Sequence, residues 1–387
     1  MDFRFTDEQR LFRETLRAFV DKEIVPVARD WEQSGRYPTE IVEGMRQLGL
    51  FGLAVPEEYG GLAADTVSFA LTFEEISRGW MGIAGILGSH SVSCFLLAQH
   101  GTEEQKQRYL PELATGARRT GIALTEPGAG TDLQGIRTTA RRDGDDYVID
   151  GTKMWITNAR HADPLPVLVK TDPSASPAHK GMSILLVEAG TPGFEVTADI
   201  GKLGYKGTES CEVVLDGVRV PASALLGGVE GRGLQQALSS LETGRINIAA
   251  RSVGIAQRAY DEALSYARSR EAFGQPIGEF QAVQQRLAQT AVRLQAARLM
   301  TYWAASRMDD GVRMDTESGM AKIFASEQAM ECAADAMRIH GGYGYSTEFE
   351  VERLYRDAPL MSIGEGTNDV LRGVVAKALL SGKSTVS

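Results

Sequence analysis

The sequence predicts an α+β protein: an N-terminal helical domain, a middle antiparallel β domain and a C-terminal helical bundle. Two observations carry this. Apolar residues recur at helical spacing up to about Gly116 and again from about Gly231, and between them the pattern changes to short Val/Ile-rich runs separated by Gly, Pro and Asp. With 387 residues the chain has length for about two to three domains, expected at 1–118, 119–227 and 228–387.

In the first region the helical segments read DEQRLFRETLRAFVDKEIVPVARDWEQ, PTEIVEGMRQLGLFG, TVSFALTFEEISRG and TEEQKQRYLPELATG, with polar or Gly/Pro joints. The strands of the middle region read DDYVIDG, LPVLVKT, MSILLVE and CEVVLDGVRV. The last region is expected to form four helices, GRINIAARSVGIAQRAYDEALSYARSR, AVQQRLAQTAVRLQAARLMTYWAASRM, SGMAKIFASEQAMECAADAMRIH and NDVLRGVVAKALL. Ala-rich stripes such as AARSVGIAQ permit close packing in a bundle.

Composition narrows the function. Apolar residues make up 43% and charged residues 24%, normal for a globular protein. The 41 basic and 51 acidic residues give a net charge of −10 without a Lys/Arg-rich block, so no nucleic-acid partner is expected. The N-terminal MDFRFTDEQRLFRETL has no signal-like apolar core, and no uninterrupted apolar run of about 20 residues stands out, so a cytoplasmic or matrix-like location is expected, without a membrane partner. Cys94, Cys211 and Cys332 lie far apart with no CxxC pair and read as reduced, buried thiols; no metal site is expected.

Chemistry concentrates in a few segments. MSIGEGTNDVLR sets the carboxylate of Glu365 between Gly364 and Gly366, with Thr367 placed to cap the following helix. In isolation this also fits a solvated loop acid. LTEPGAGTDL forms a tight turn at Pro127, Gly128 and Gly130, with Leu124, Thr125 and Thr131 offering backbone donors and hydroxyls to a polar ring edge. In DGTKMWITN, Trp155 and Thr157 share one face of a strand, an aromatic surface beside a hydroxyl that suits an isoalloxazine ring. An ordinary turn and a core tryptophan are the plainer alternatives. No GxGxxG follows a strand and opens a helix, so a Rossmann cofactor site is not supported.

Taken in order, TEPGAGTD, KMWITN, KLGYKGTESCEVV with DGVRVP, RSREAFGQPIGEFQ, IHGGYGY, LYRD and GEGT resemble the acyl-CoA dehydrogenase family over essentially the whole chain. The resemblance implies a barrel-like middle domain and an FAD-dependent enzyme that converts an acyl-CoA to its trans-2-enoyl product. Glu365 matches the family's base, and its backbone N–H matches a donor to the thioester carbonyl. Leu124, Thr125, Gly130, Thr131, Trp155, Thr157 and Thr367 match cofactor contacts, and Thr131, Arg245, Gly364 and Gly366 lie on the substrate side. Arg270, Phe273 and Gln281 match residues that reach the flavin of a neighbouring subunit, which implies a homo-oligomer, expected to be a tetramer. Gly342 would approach the cofactor tail; IHGGYGY also reads as a glycine helix cap. Arg338 stands where many members carry Gln, and is placed with the cofactor contacts; a cation there could pair with phosphate or simply point into solvent.

Some relatives carry the base at the position of Gly244, which this chain cannot use; Glu242 is the remaining carboxylate nearby. Many straight-chain members have a tyrosine at the position of Gly364. Its loss points to a short, branched or ring-bearing acyl group, although glycine there could equally serve a left-handed backbone. Glutaryl-specific relatives place an arginine in the helix matching GIAGILGSHSVSCFLL, and none occurs here. The expected partners are acyl-CoA, or an acyl-carrier thioester, and electron-transfer flavoprotein. Alternatives are an oxygen-using acyl-CoA oxidase and a non-catalytic acyl-thioester binding protein on the same fold.

Overall fold

The computed structural model describes residues 5–310 and 315–382. Helix α1 (Asp7–Phe19) starts at a Thr6/Gln9 capping box, and passes through a π-turn at Val20–Ile24 before α2 (Ala28–Ser34). The sequence suggested one continuous helix here; Pro26, without an N–H, falls at the break. After α3 (Thr39–Gln47) comes α4 (Thr66–His100), capped by Asp65 and kinked at Trp80. It was expected as two shorter segments parted near Gly79. The continuous helix is long and apolar enough to cross a membrane, which corrects the expectation that no such stretch exists, but most of it is buried inside the protein as a core helix. Helix α5 (Glu103–Ala114) closes the region.

The middle region is a six-stranded sheet of order β4-β3-β1-β2-β6-β5, formed by β1 (Thr139–Asp143), β2 (Asp146–Thr157), β3 (Leu165–Lys170), β4 (Met182–Val187), β5 (Phe194–Asp199) and β6 (Ser210–Pro221). Its pairings are antiparallel except β1 with β3, which meet in parallel at Thr139 and Lys170. The sequence patterns located β2, β3, β4 and β6. They missed β1 and β5, whose TARRD and FEVTAD are charged and mostly exposed, so they carry little apolar alternation.

Helix α6 (Gly233–Ser269) is 37 residues long and packs on α4 and on α8 (Asp315–His340). A short hairpin, β7 (Glu271–Ala272) and β8 (Gln275–Pro276), leads into α7 (Gln281–Asp309). Helices α9 (Glu350–Ile363) and α10 (Asn368–Leu380) complete the chain described, both against α8. One apolar cluster joins the N-terminal and C-terminal helices, with Trp80, Ile246, Val253, Leu354 and Met361 fully buried in it. Cys94, Cys211 and Cys332 are buried.

Candidate active site

The loop between α9 and α10 carries Glu365. Gly364 ends α9 with φ −65° and ψ 155°. Glu365 then turns to φ +56° and Gly366 to φ +90°. A non-glycine residue at positive φ is strained and persists where its surroundings over-determine it. Here Lys322 of α8, fully buried, donates from Nζ to Gly366 O and to Asn368 Oδ1, both at 2.8 Å. Asn368 in turn donates to Ser326 Oγ at 3.0 Å. Thr367 does occupy the N-cap position of α10, but its side chain makes no capping bond, contrary to the sequence expectation. The buried lysine holds the loop instead.

Of the two reasons for glycine at 364, the left-handed backbone does not apply, since its φ is ordinary. Room does: a Cβ built there would meet nothing nearer than Leu360 O at 3.5 Å and Ile248 Cδ1 at 3.9 Å.

Glu365 is half-buried as a residue, but its Oε2 is fully enclosed and has no hydrogen-bond partner. Burial pushes its carboxyl above the ordinary range, and the charges of Arg251, Lys322 and Arg245 pull against that rise. The Lys322 ammonium is itself lowered to about 8 by burial, opposed by Glu365. Across the gap lies Gly244 of α6, where an added Cβ would come within 2.7 Å of Glu365 Oε2. Position 244 must therefore be bare for Glu365 to sit as it does. Glu242, two residues back on the helix, points about 200° away and has its own partner. Arg245 is buried beside Gly244.

The second group surrounds the start of the sheet. Glu126 and Ala129 exchange backbone hydrogen bonds across Pro127 and Gly128, closing the turn. Neither Gly128 nor Gly130 has positive φ, so openness, with no Cβ contact nearer than 3.8 Å at either, distinguishes them rather than backbone need. Thr131 is exposed beside them, Thr125 half-buried and Leu124 buried. Met154 N donates to Thr125 O at 2.8 Å, joining this turn to β2. Beneath both, the buried Lys153 Nζ contacts Glu126 Oε1 at 2.8 Å and Leu124 O at 3.1 Å. The regular strand face expected for Trp155 and Thr157 is interrupted by a bulge between Lys153 and Ile156, with Trp155 at φ +65°. The bulge turns the Trp155 ring outward, 52% exposed, while Ile156 stays in the core. Thr157 Oγ1 lies 3.5 Å from Tyr205 OH, and Asn158 Nδ2 ties the strand end to Ile86 O of α4 at 2.8 Å.

An exposed aromatic ring beside threonine hydroxyls and an open turn fits a planar flavin with a hydrogen-bonding edge. The third group lies at the far end of α6 from Arg245. Arg270 caps α6, twenty-five residues beyond Arg245, or roughly 37 Å along the axis at 1.5 Å per residue. Phe273, at φ +53°, is 96% exposed, and Arg270 and Gln281 are exposed with it. Arg270 also approaches the Tyr343 ring at 5.5 Å. Gly341, at φ +60°, ends α8 as a glycine cap, and exposed Gly342 follows. Arg338, largely exposed, pairs with Asp335 on its own helix at 3.1 Å.

Profiles of the acyl-CoA dehydrogenase N-terminal, middle and C-terminal domains match residues 6–117, 121–218 and 231–380. The chain belongs to the acyl-CoA dehydrogenase family. It is 44% identical over 382 residues to the probable acyl-CoA dehydrogenase YngJ of Bacillus subtilis, covering 98% of this chain and all of that one. It is 38% identical to subunit CarC of the caffeyl-CoA reductase-Etf complex of Acetobacterium woodii, covering 97% and 99% of the two chains. The solved butyryl-CoA dehydrogenase of Megasphaera elsdenii superposes with a TM-score of 0.95 at 36% identity, covering 98% of this chain and all of that one. This acyl-CoA dehydrogenase is thus a flavoprotein oxidoreductase acting on an acyl-CoA, with FAD as cofactor.

Sequence reasoning did not single out Lys322, Asn368, Glu126, Lys153, Tyr205 or Arg251. A signal existed for two of them: Lys322 and Arg251 are lone charges in otherwise small or apolar helical stretches, MAKIFA and IAARSVG. The pairing of Glu126 with Lys153 had none, because the two are far apart in the chain.

Proposed function

We propose that this acyl-CoA dehydrogenase uses Glu365 as the base that takes the α proton of a short or branched acyl-CoA. The observation that carries this is the enclosed, unpartnered Glu365 Oε2 facing the bare Gly244. FAD, when bound, supplies the acceptor for the β hydride. Trp155 provides the aromatic platform, with Thr125, Thr131 and Thr157 supplying hydroxyls near the ring edge. Glu365 is held at its bend by Lys322 through Gly366 and Asn368. Its raised proton affinity suits it to accept a proton from carbon, and the charges of Arg251, Lys322 and Arg245 favour its ionised form against burial. The Glu365 N–H is the chain's donor to the thioester carbonyl as enolate charge develops. The space at Gly364 and Gly366 admits the acyl group.

A second subunit completes the cofactor site with its own Arg270, Phe273 and Gln281, which lie exposed at the far end of α6 from Arg245. Electron-transfer flavoprotein is the electron acceptor, a reading supported by the relative that is a subunit of an Etf complex.

The test is a pair of variants studied anaerobically. Glu365→Gln keeps FAD and thioester binding but loses flavin reduction by several orders of magnitude, whereas Glu242→Gln stays within about tenfold of the parent. If the two exchange behaviours, the base is Glu242. Rapid reoxidation of the reduced flavin by oxygen, at the rate of turnover, would instead indicate an oxidase.

A further inference from the structure

The face of α6 that looks towards α4 carries Gly244, Asn247, Ile248 and Arg251, spaced one and two turns apart. Gly244 meets Glu365, so Asn247, Ile248 and Arg251 lie one and two turns further along this face from the carboxylate. That stretch is more polar than an alkyl chain needs. Arg251 is 5% exposed, and its guanidinium meets Met81 Sδ of α4 at 2.8 Å and the Tyr205 ring at 5.3 Å. Its Nε has no hydrogen-bond partner, and no carboxylate among the described residues lies within ion-pair distance of it. Asn247 Oδ1, also buried, is likewise unpartnered.

The surroundings fix these groups. Two bare positions on α4 let polar tips come close: a Cβ at Gly85 would fall 1.8 Å from Tyr205 OH, and one at Gly88 would fall 2.2 Å from Asn247 Nδ2. Tyr205 is at φ +58°, and its N–H donates to the buried Asp357 Oδ1 at 2.7 Å, which pins the loop against α4. A fully desolvated guanidinium without a bonded counter-charge is costly, and its fork of donors matches a carboxylate in two-point contact. Its charge reaches Glu365, but Glu365 becomes neutral when it accepts the α proton.

We propose that Arg251, with Asn247 and the Tyr205 hydroxyl beside it, receives a carboxylate on the far end of a short acyl group, so that the substrate is a dicarboxylic acyl-CoA monothioester. This rests on the assignment of Glu365 as the base, which places the reacting carbon at Gly244. The GIAGILGSHSVSCFLL stretch of α4 carries no arginine for this purpose; the fold supplies one from α6.

The experiment uses FAD-loaded protein and thioesters matched in carbon count, pentanoyl-CoA with glutaryl-CoA and butyryl-CoA with succinyl-CoA. Binding is read from the perturbed flavin spectrum, and reduction from anaerobic bleaching. The parent should bind at least one carboxylate-ended thioester at least about tenfold more tightly than its methyl-ended match, and Arg251→Gln should abolish that preference. Arg251→Lys, which keeps the charge and the fold but loses the fork, should reduce it partially. Equal or tighter binding of the methyl-ended thioesters by the parent would overturn the proposal without any variant. So would a preference unchanged within about threefold in Arg251→Gln, because an arginine acting only on Glu365 would affect both members of a pair alike. The binding preference decides the role of Arg251 whether or not the flavin bleaches, and the assignment of the base falls only if Glu365→Gln reduces the flavin as the parent does.

Discussion

A carboxylate enclosed without a hydrogen-bond partner weakens a fold, and proteins keep such groups where chemistry requires them. Burial raises the Glu365 carboxyl above its value in the unfolded chain. The folded protein therefore retains a proton there that the unfolded chain has already released, and stability falls as pH rises through that interval. Glu365→Gln removes the ionisation. Its Tm should differ least from the parent's in acid, where both states hold the proton, and should exceed it at neutral pH; a parent that is equally stable at both would show that Arg245, Arg251 and Lys322 fully compensate the charge. Next to it, Gly364→Tyr fills the open space without backbone strain, because φ at 364 is −65°. It should lower kcat/KM for branched thioesters far more than for a linear four-carbon one, with little change in Tm. Equal losses across the panel would remove the argument from space.

At the scale of elements, the active-site loop depends on α8. Lys322 supplies the donor to Gly366 O and Asn368 Oδ1, and its charge lowers the proton affinity of Glu365. Lys322→Met removes the donor to Gly366 O and to the buried Asn368 Oδ1, a loss of about 1–3 kcal/mol for the buried acceptor. Tm should fall, flavin reduction should slow at least about tenfold, and the pH dependence of reduction should move upward while FAD content is unchanged. A variant with a lower Tm and an unmoved pH profile would limit Lys322 to structural support. The elements themselves were largely readable: periodicity located the long helices, and Val/Ile runs located β2, β3, β4 and β6. The bulge at Trp155 was not, because it arises from a register shift against β6 and not from a local turn residue.

At the scale of the molecule, the long α6 separates Arg270 from Arg245 by roughly 37 Å. Phe273 at 96% exposure and Tyr343 at 46% leave an aromatic surface beside Arg270, and such a surface suits burial by another copy of the chain. Arg270→Ala should loosen FAD without unfolding the protein, measured as FAD retained after gel filtration at matched Tm. The parent should elute as an oligomer, a tetramer as the family resemblance implies. A monomer that holds FAD as tightly as the parent's expected oligomer would show that one chain suffices.

The sequence alone determined the family, the α+β order and the carboxylate at 365, because these depend on local periodicity and on motifs a few residues long. It could place Glu365 between two glycines, but not show that the glutamate itself takes the left-handed conformation or that Gly364 does not. Tertiary structure decided what surrounds that carboxylate. Lys322, Gly244 and Arg251 are distant from Glu365 along the chain and reach it only when α6, α8 and α4 pack together. Their influence is electrostatic and steric, and acts through space, so no pattern of neighbouring residues records it.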